Sequence, residues 1–139
     1  MSRKDRYHDV VKQALENEGW LITHEQLVLK SGRKNMYIDL GAELLVAEKE
    51  NIKIAVEVKS FTNTSEISDF HSALGQFNIY KLALTEQEPN RTLYLAIPDW
   101  VYEELFEDKF MQRVLINYSV LLILFNNENK KITKWIPNI

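Results

Sequence analysis

Ile52-Lys53-Ile54-Ala55-Val56-Glu57-Val58-Lys59 is the stretch on which the fold turns. Its strict alternation and β-branched content predict a strand. Ile52, Ile54, Val56 and Val58 point one way, and Lys53, Ala55, Glu57 and Lys59 the other. Residues i and i+2 share a face, so the Glu57 carboxylate and the Lys59 ammonium are neighbours about 7 Å apart along the strand. From this stretch alone two readings stay open. One is a half-solvated strand whose surface ion pair carries little energy. The other is metal-assisted phosphodiester hydrolysis. A carboxylate can hold a hard divalent cation, usually Mg²⁺, which keeps several of its waters. The ion polarises the phosphate and activates a bound water. A lysine beside it orients that water or stabilises the charge building up on the phosphate.

Upstream, Arg3 to Glu18 reads as an amphipathic helix. Tyr7, Val10, Val11, Ala14 and Leu15 recur at helical spacing and Gly19 is the stop. Trp20 to Leu29 changes period and predicts either a strand pair or one irregular strand. Lys30 to Asn35 is a polar turn containing Gly32. Met36 to Leu40 is a strand running into Gly41, where the backbone is free to turn sharply, and Glu43 to Glu50 extends it or connects it onward.

Downstream, Phe61 to Ser65 is a polar loop in which Asn63 or Ser65 caps the next helix, with Glu66 and Asp69 favourable in its first turn. That helix runs to about Glu86 with Ile67, Phe70, Leu74, Phe77 and Lys81 along one stripe, and Pro89-Asn90 ends it. Thr92 to Ile97 is a strand closed by Pro98. Trp100 to Tyr118 is mostly helical, with a break near Asp108. Its Trp100, Tyr102, Phe106 and Phe110 read as core, with an interface as the other reading. Val120 to Phe125 and Lys131 to Trp135 form a closing hairpin around Asn126 to Lys130. The order predicts a central mixed β-sheet flanked by helices, with residues 1–139 as a single domain.

Asp39 ends the Tyr37-Ile38-Asp39-Leu40 strand and is positioned to pair with Glu57 on an adjacent strand; an ordinary turn aspartate is the alternative. Glu43 is a spare carboxylate. Gln76 and Tyr80 stand i, i+4 on one helix face, aimed either at a charged site or, for Tyr80, into the core. His8 reads as a surface histidine that is also within reach of the site, and His71 lies one turn before Gln76. His8, His24 and His71 have no close metal-binding spacing, so a zinc site is not expected. No glycine-rich phosphate loop or serine nucleophile elbow is present.

The 139 residues include no cysteine, which removes disulfides and thiolate metal sites and fits a reducing compartment. Apolar residues at 45% and charged residues at 27% are the balance of a soluble globular protein. Met1 to Asp9 has no apolar signal core, and the longest apolar run, Val120 to Phe125, is far too short for a bilayer. A cytoplasmic protein with no membrane contact is expected. Net charge is -3 at pH 7, so DNA contact would rest on a local patch, on metal or on a partner. Basic residues gather at Arg3-Lys4-Arg6, Lys30-Arg33-Lys34 and Lys130-Lys131-Lys134. The second group is a candidate to flank DNA at the site mouth; solvated turns are the plain reading.

An aspartate ending one strand, Glu-x-Lys in the next and Gln-x-x-x-Tyr on the following helix is the motif order of the PD-(D/E)XK nuclease superfamily, which the sequence resembles; Ile38 stands where that pattern often has proline. The resemblance implies a restriction-endonuclease-like core, with Asp39, Glu57 and the Val58 carbonyl as ligands of Mg²⁺ or Mn²⁺. It makes Lys59 the catalytic lysine and Gln76 and Tyr80 supporting residues. Tyr37-Ile-Asp-Leu-Gly-Ala-Glu, Ile54-Ala-Val-Glu-Val-Lys-Ser-Phe, Ser72-Ala-Leu-Gly-Gln-Phe, Leu82-Ala-Leu-Thr-Glu-Gln-Glu-Pro and the ending near Trp135-Ile136 resemble the XisH family, the cyanobacterial fdxN element excision controlling factors. That resemblance implies a role in programmed excision of a DNA element alongside an XisI-type partner. It leaves two roles open: a Mg²⁺-dependent endonuclease-like protein, or a regulatory binding factor on a nuclease scaffold. A homodimer is expected by analogy with nucleases of this fold.

Overall fold

In the computed structural model, which describes residues 5–63 and 65–137, the chain runs in order through thirteen elements. They are α1 (His8–Asn17), β1 (Leu21–His24), β2 (Leu27–Leu29), β3 (Met36–Ile38), β4 (Leu40–Leu44), β5 (Ile52–Val58), α2 (Glu66–Gln87), β6 (Arg91–Pro98), α3 (Asp99–Val101), a π-helical turn (Tyr102–Phe106), α4 (Lys109–Asn117), β7 (Leu122–Asn126) and β8 (Lys131–Ile136). Six strands make one mixed sheet in the order β1-β4-β5-β6-β7-β8, and β2 with β3 forms a separate antiparallel ribbon. β5, β6 and β7 are mutually parallel, while β1, β4 and β8 run antiparallel to their neighbours. A parallel pair needs a long crossover, and the 22-residue α2 supplies it between β5 and β6.

The sheet is covered on both faces. Ile54, Val56 and Val58 of β5 join Val11 and Leu15 of α1, Trp20 and Trp135 in one core. Ala55 joins Phe70, Phe77, Tyr80 and Leu84 of α2, together with Leu27, Leu29 and Ile38 of the ribbon, in the other. The half-solvated reading of β5 is therefore overturned: Ile54 to Val58 is buried throughout, Glu57 included. Strands covered on two faces read as near-continuous apolar runs, and this one keeps a carboxylate inside.

Several expectations shift. The first helix starts at His8, and Arg3 and Lys4 lie outside the described residues. Trp20 to Leu29 contains two strands, one in each sheet. The buried face of α2 runs through Phe70, Ala73, Phe77, Tyr80, Ala83 and Leu84, leaving Ile67 at 40% exposure and Lys81 only half-buried. Ser65 is its cap, accepting the Ser68 N–H at 3.2 Å, while Asn63 turns to Asp69. Of the late aromatic residues, Phe106 is core and Trp100 and Tyr102 pack against it, but Phe110 is exposed. Gly41 is no turn: it sits inside β4 opposite Ala55, and a Cβ there would lie 2.8 Å from the His24 ring. Close approach explains this glycine. Among the described residues no helix is long and apolar enough to cross a membrane.

Candidate functional site

Asp39 occupies the single position between β3 and β4, where the chain leaves the ribbon and enters the main sheet. Leu40 pairs with Val56, so Asp39 falls beside the Glu57–Val58 end of β5. The two strands exchange contacts there. The Val58 N–H donates to Asp39 Oδ2 at 2.7 Å, and the Asp39 N–H donates to Glu57 Oε1 at 3.2 Å. Lys59 continues the parallel ladder through its N–H to the Ala96 carbonyl, 3.0 Å. Its Nζ lies 3.5 Å from Glu57 Oε2, with the side chain about a third exposed. Strand pairing thus brings Asp39, Glu57 and Lys59 to the carboxyl end of a parallel strand, where open α/β sheets bind ligands.

Burial disfavours the charged form of both carboxyls. Glu57 is pushed up to about 8, by burial first and by the nearby Asp39 carboxylate second, against the opposing pull of Lys59. The close Lys59 contact would by itself argue for an ionised Glu57. Burial beside a second carboxylate outweighs it, because the ammonium is partly solvated. Asp39 is also raised, by burial, with the Val58 N–H, Glu57, His8 and Lys59 all pulling the other way.

The long helix faces the same place. Gln76 Nε2 donates to the Tyr80 hydroxyl at 2.8 Å. The Tyr80 phenol is raised by burial and next by Glu57, so its ring is close enough to feel that carboxylate. Gln76 Oε1 is buried with no partner among the described residues. Both readings of Tyr80 hold together: it is a core side chain, 9% exposed, whose hydroxyl end lies in the site's field.

His8 overturns the surface reading. It is 2% exposed at the start of α1, and its charge acts on Asp39. Its sequence neighbours Tyr7 and Asp9 hid this, because helical spacing does not say which turn meets a site on another strand. Asp5 was missed altogether: its carboxylate accepts the Ser60 N–H at 3.0 Å, across 55 residues, and no local signal marks such a tie. His71 is exposed on α2, and Glu43 bonds Asn51 at 2.7 Å, so neither is drawn into the cluster. Lys30, Arg33 and Lys34 lie at the ribbon tip, and Leu29 pairs with Met36 there while Leu27 pairs with Ile38 at the Asp39 end. The tip is anchored near the end of α2, where Gln87 bonds the Lys30 N–H and the Val28 carbonyl.

Among the described residues no group of three or more His, Cys, Asp or Glu side chains is placed to hold a metal ion. Two carboxylates are nevertheless a sufficient protein share for Mg²⁺, which fills its remaining positions with water and substrate oxygen. Two buried hard-oxygen donors, one of them raised to about 8, fit a divalent cation that would neutralise their mutual repulsion.

The profile of the XisH protein family matches residues 1–133. A crystal structure of an XisH family protein from Nostoc punctiforme PCC 73102 is 41% identical, covering 94% of this chain and 98% of that one with a TM-score of 0.84. A crystal structure of a fdxN element excision controlling factor protein from Anabaena variabilis is also 41% identical, covering 96% of this chain and 99% of that one with a TM-score of 0.85. No curated protein matches. A family profile spanning nearly the whole chain, joined by two like-sized structures at this identity, establishes that the chain belongs to the XisH family.

Proposed function

We propose that this chain is a PD-(D/E)XK-type, Mg²⁺- or Mn²⁺-dependent endonuclease-like protein, one domain over residues 1–139, that acts on DNA in programmed excision in the cytoplasm. The observation that carries the reading is the Asp39–Glu57 pair. Two carboxyls 18 residues apart are locked together by reciprocal backbone bonds and buried beside Lys59, although burial disfavours their ionisation. The excision-control role named for the Anabaena variabilis relative points to DNA as the substrate.

In this reading Asp39, Glu57 and the Val58 carbonyl would hold the cation, which when bound would supply Lewis-acid polarisation of the phosphate and a more acidic water. Lys59, with its ammonium beside Glu57, would orient the attacking water and stabilise the charge on the phosphate oxygens. The water oxygen forms the new P–O bond as the bond to the leaving oxygen breaks, and the water proton ends on the leaving group. Gln76, with its buried and unpartnered Oε1, and Tyr80, through its hydroxyl, hold the helix side of the site and a bound water or phosphate oxygen.

The test is DNA cleavage by the purified chain with Mg²⁺ or Mn²⁺, on linear, supercoiled, single-stranded and branched substrates, against Lys59→Ala. The expected loss is about 10²–10³-fold in kcat with little change in stability. Equal cleavage by both proteins would end the reading.

The net charge of -3 favours a second role: a regulatory or binding factor on the same scaffold that reaches DNA through an XisI-type partner, whereas a homodimer belongs to the nuclease reading by analogy. Asp39→Ala separates the two. It should abolish Mn²⁺ binding and cleavage if the chain is a nuclease, and should leave the partner interaction intact if the chain works as a scaffold.

A further inference from the structure

Directly after Lys59 the backbone makes a corner that strand geometry does not require. Ser60 is buried, and Phe61 adopts a φ of 57° with its ring 4% exposed in the core beneath α2. A residue with a Cβ enters the left-handed region at a cost, and stays there only where its surroundings over-determine it. The buried ring is one such restraint. Asp5 is the other. Its Oδ2 accepts the Ser60 N–H at 3.0 Å, its Oδ1 accepts the Tyr7 N–H at 2.9 Å, and its carbonyl accepts the His8 N–H at 3.0 Å. Both carboxylate oxygens are thus spent on backbone donors, one in the turn that opens α1 and one at the residue after Lys59. A cavity of about 250 Å³ opens on this corner, lined in part by Asp5, Lys59, Ser60 and Ser72.

We propose that Asp5 is a positioning residue: its carboxylate clamps the Ser60 N–H, fixes the Lys59–Phe61 corner and thereby aims the Lys59 ammonium at Glu57. The proposal rests on the hydrolytic reading of Asp39, Glu57 and Lys59 and deepens it by naming what holds the lysine. The Lys59 stem leaves the backbone directly before the Ser60 N–H that Asp5 holds and the strained Phe61, so a shift of that corner carries the stem's origin with it. Without the clamp the Ser60 N–H is a buried donor lacking its acceptor, the corner relaxes, and the Lys59–Glu57 contact of 3.5 Å is lost. The cation ligands are carried by β5 and by the β3–β4 junction, which Asp5 does not touch through any of these three bonds, so its removal separates lysine placement from cation binding.

The experiment compares the full chain with Asp5→Ala and Asp5→Asn, whose single amide oxygen can still accept one N–H. Four quantities are read: kcat and KM on DNA with Mn²⁺, Mn²⁺ affinity by calorimetry, Ser60 amide exchange by NMR, and the Lys59–Glu57 distance by crystallography. Asp5→Ala should lower kcat about 10–100-fold, as a small misplacement of a reacting group does, with KM and Mn²⁺ affinity held within about twofold. Ser60 exchange should quicken at least about tenfold, the lysine should leave Glu57, and Asp5→Asn should fall between. A loss of kcat that only follows the folded fraction, or that comes with an equal loss of Mn²⁺ affinity, overturns the proposal. If the unaltered chain cleaves no DNA, the hydrolytic reading fails by itself, and exchange and crystallography still decide. Slow Ser60 exchange with Lys59 still on Glu57 in Asp5→Ala overturns the clamp; fast exchange with a displaced lysine supports it.

Discussion

At one end of the parallel pair β5–β6 the Arg91 guanidinium is buried; at the other end the Glu57 carboxyl is buried to nearly the same degree. Arg91 donates to the Ile54 carbonyl at 2.9 Å and to the Ala42 carbonyl at 3.5 Å, and meets Glu88 at 3.3 Å. It ties β4, β5 and β6 together, and only its Nε lacks a partner among the described residues. Glu57 receives one N–H at 3.2 Å and a partly solvated ammonium at 3.5 Å, with a second carboxyl beside it. The same pair of strands therefore carries one charge that is matched by its surroundings and one that is not. A matched charge serves the fold. An unmatched one weakens it, which makes Glu57 a candidate place for something else to bind.

The largest effect that would test this contrast is at the matched end. Arg91→Met removes the guanidinium bonds to the Ile54 and Ala42 carbonyls and the contact with Glu88. It should lower stability by about 3 kcal/mol in urea unfolding at neutral pH, because breaking one side of a buried ionic contact is costly. Mn²⁺ affinity of the folded variant should stay within about twofold, since the change lies at the opposite end of the strands. A stability loss under about 0.5 kcal/mol would remove the distinction between the two ends.

Glu57→Gln probes the unmatched end and carries the opposite sign. Glu57 titrates near 8 in the folded chain and near 4.5 when free, so between those values the folded state holds a proton that the unfolded state has released. Stability of the unaltered chain, measured without divalent cation, must then fall as pH rises from about 4.5 through about 8; Asp39, also raised, adds to the fall. Glutamine carries no charge to bury. The variant should match the unaltered chain near pH 4 and exceed it by something on the order of 2 kcal/mol above pH 8. Urea unfolding across that range checks it, and a stability that rises with pH would mean that Glu57 is matched after all.

How much of this was legible beforehand follows from the range of each signal. The β5 alternation, the capped α2 and the β7–β8 hairpin are local patterns, and each was placed to within a few residues. That Asp39, Glu57 and Lys59 would lie together was readable because Glu57 and Lys59 stand i, i+2 at the end of one strand and Asp39 sits at an apolar strand's end in the segment before it. The break at Asp39 was not, because Tyr37-Ile38-Asp39-Leu40 has the pattern of one unbroken strand while its halves pair in different sheets. Arg91 was passed over at the mouth of β6, since an arginine before a strand looks solvated until three strands converge on it. Asp5 and the burial of His8 depend on where α1 lands, which no periodicity within α1 states.

The smallest test lies between the two ends. Gly41 in β4 is two residues from Asp39 and adjacent to Ala42, whose carbonyl Arg91 holds. An alanine Cβ there would lie 2.8 Å from His24 Nδ1 and 3.2 Å from its Cβ, so either the edge strand β1 with its His24 ring or β4 must move. If the partly exposed His24 ring gives way, it loses its 2.9 Å contact with Thr23 Oγ1, and β4 stays in register. Gly41→Ala should then cost only about 1 kcal/mol in urea unfolding and leave Mn²⁺ affinity unchanged. If β4 itself shifts, Asp39 shifts with it, and the 2.7 Å bond from the Val58 N–H lengthens. Cation affinity would then fall more than stability does. The ring is the softer element, because it is a side chain near an edge strand while β4 is paired on both sides. Unchanged affinity is thus the expected result, and it would mean that the matched and unmatched ends of the sheet are held independently.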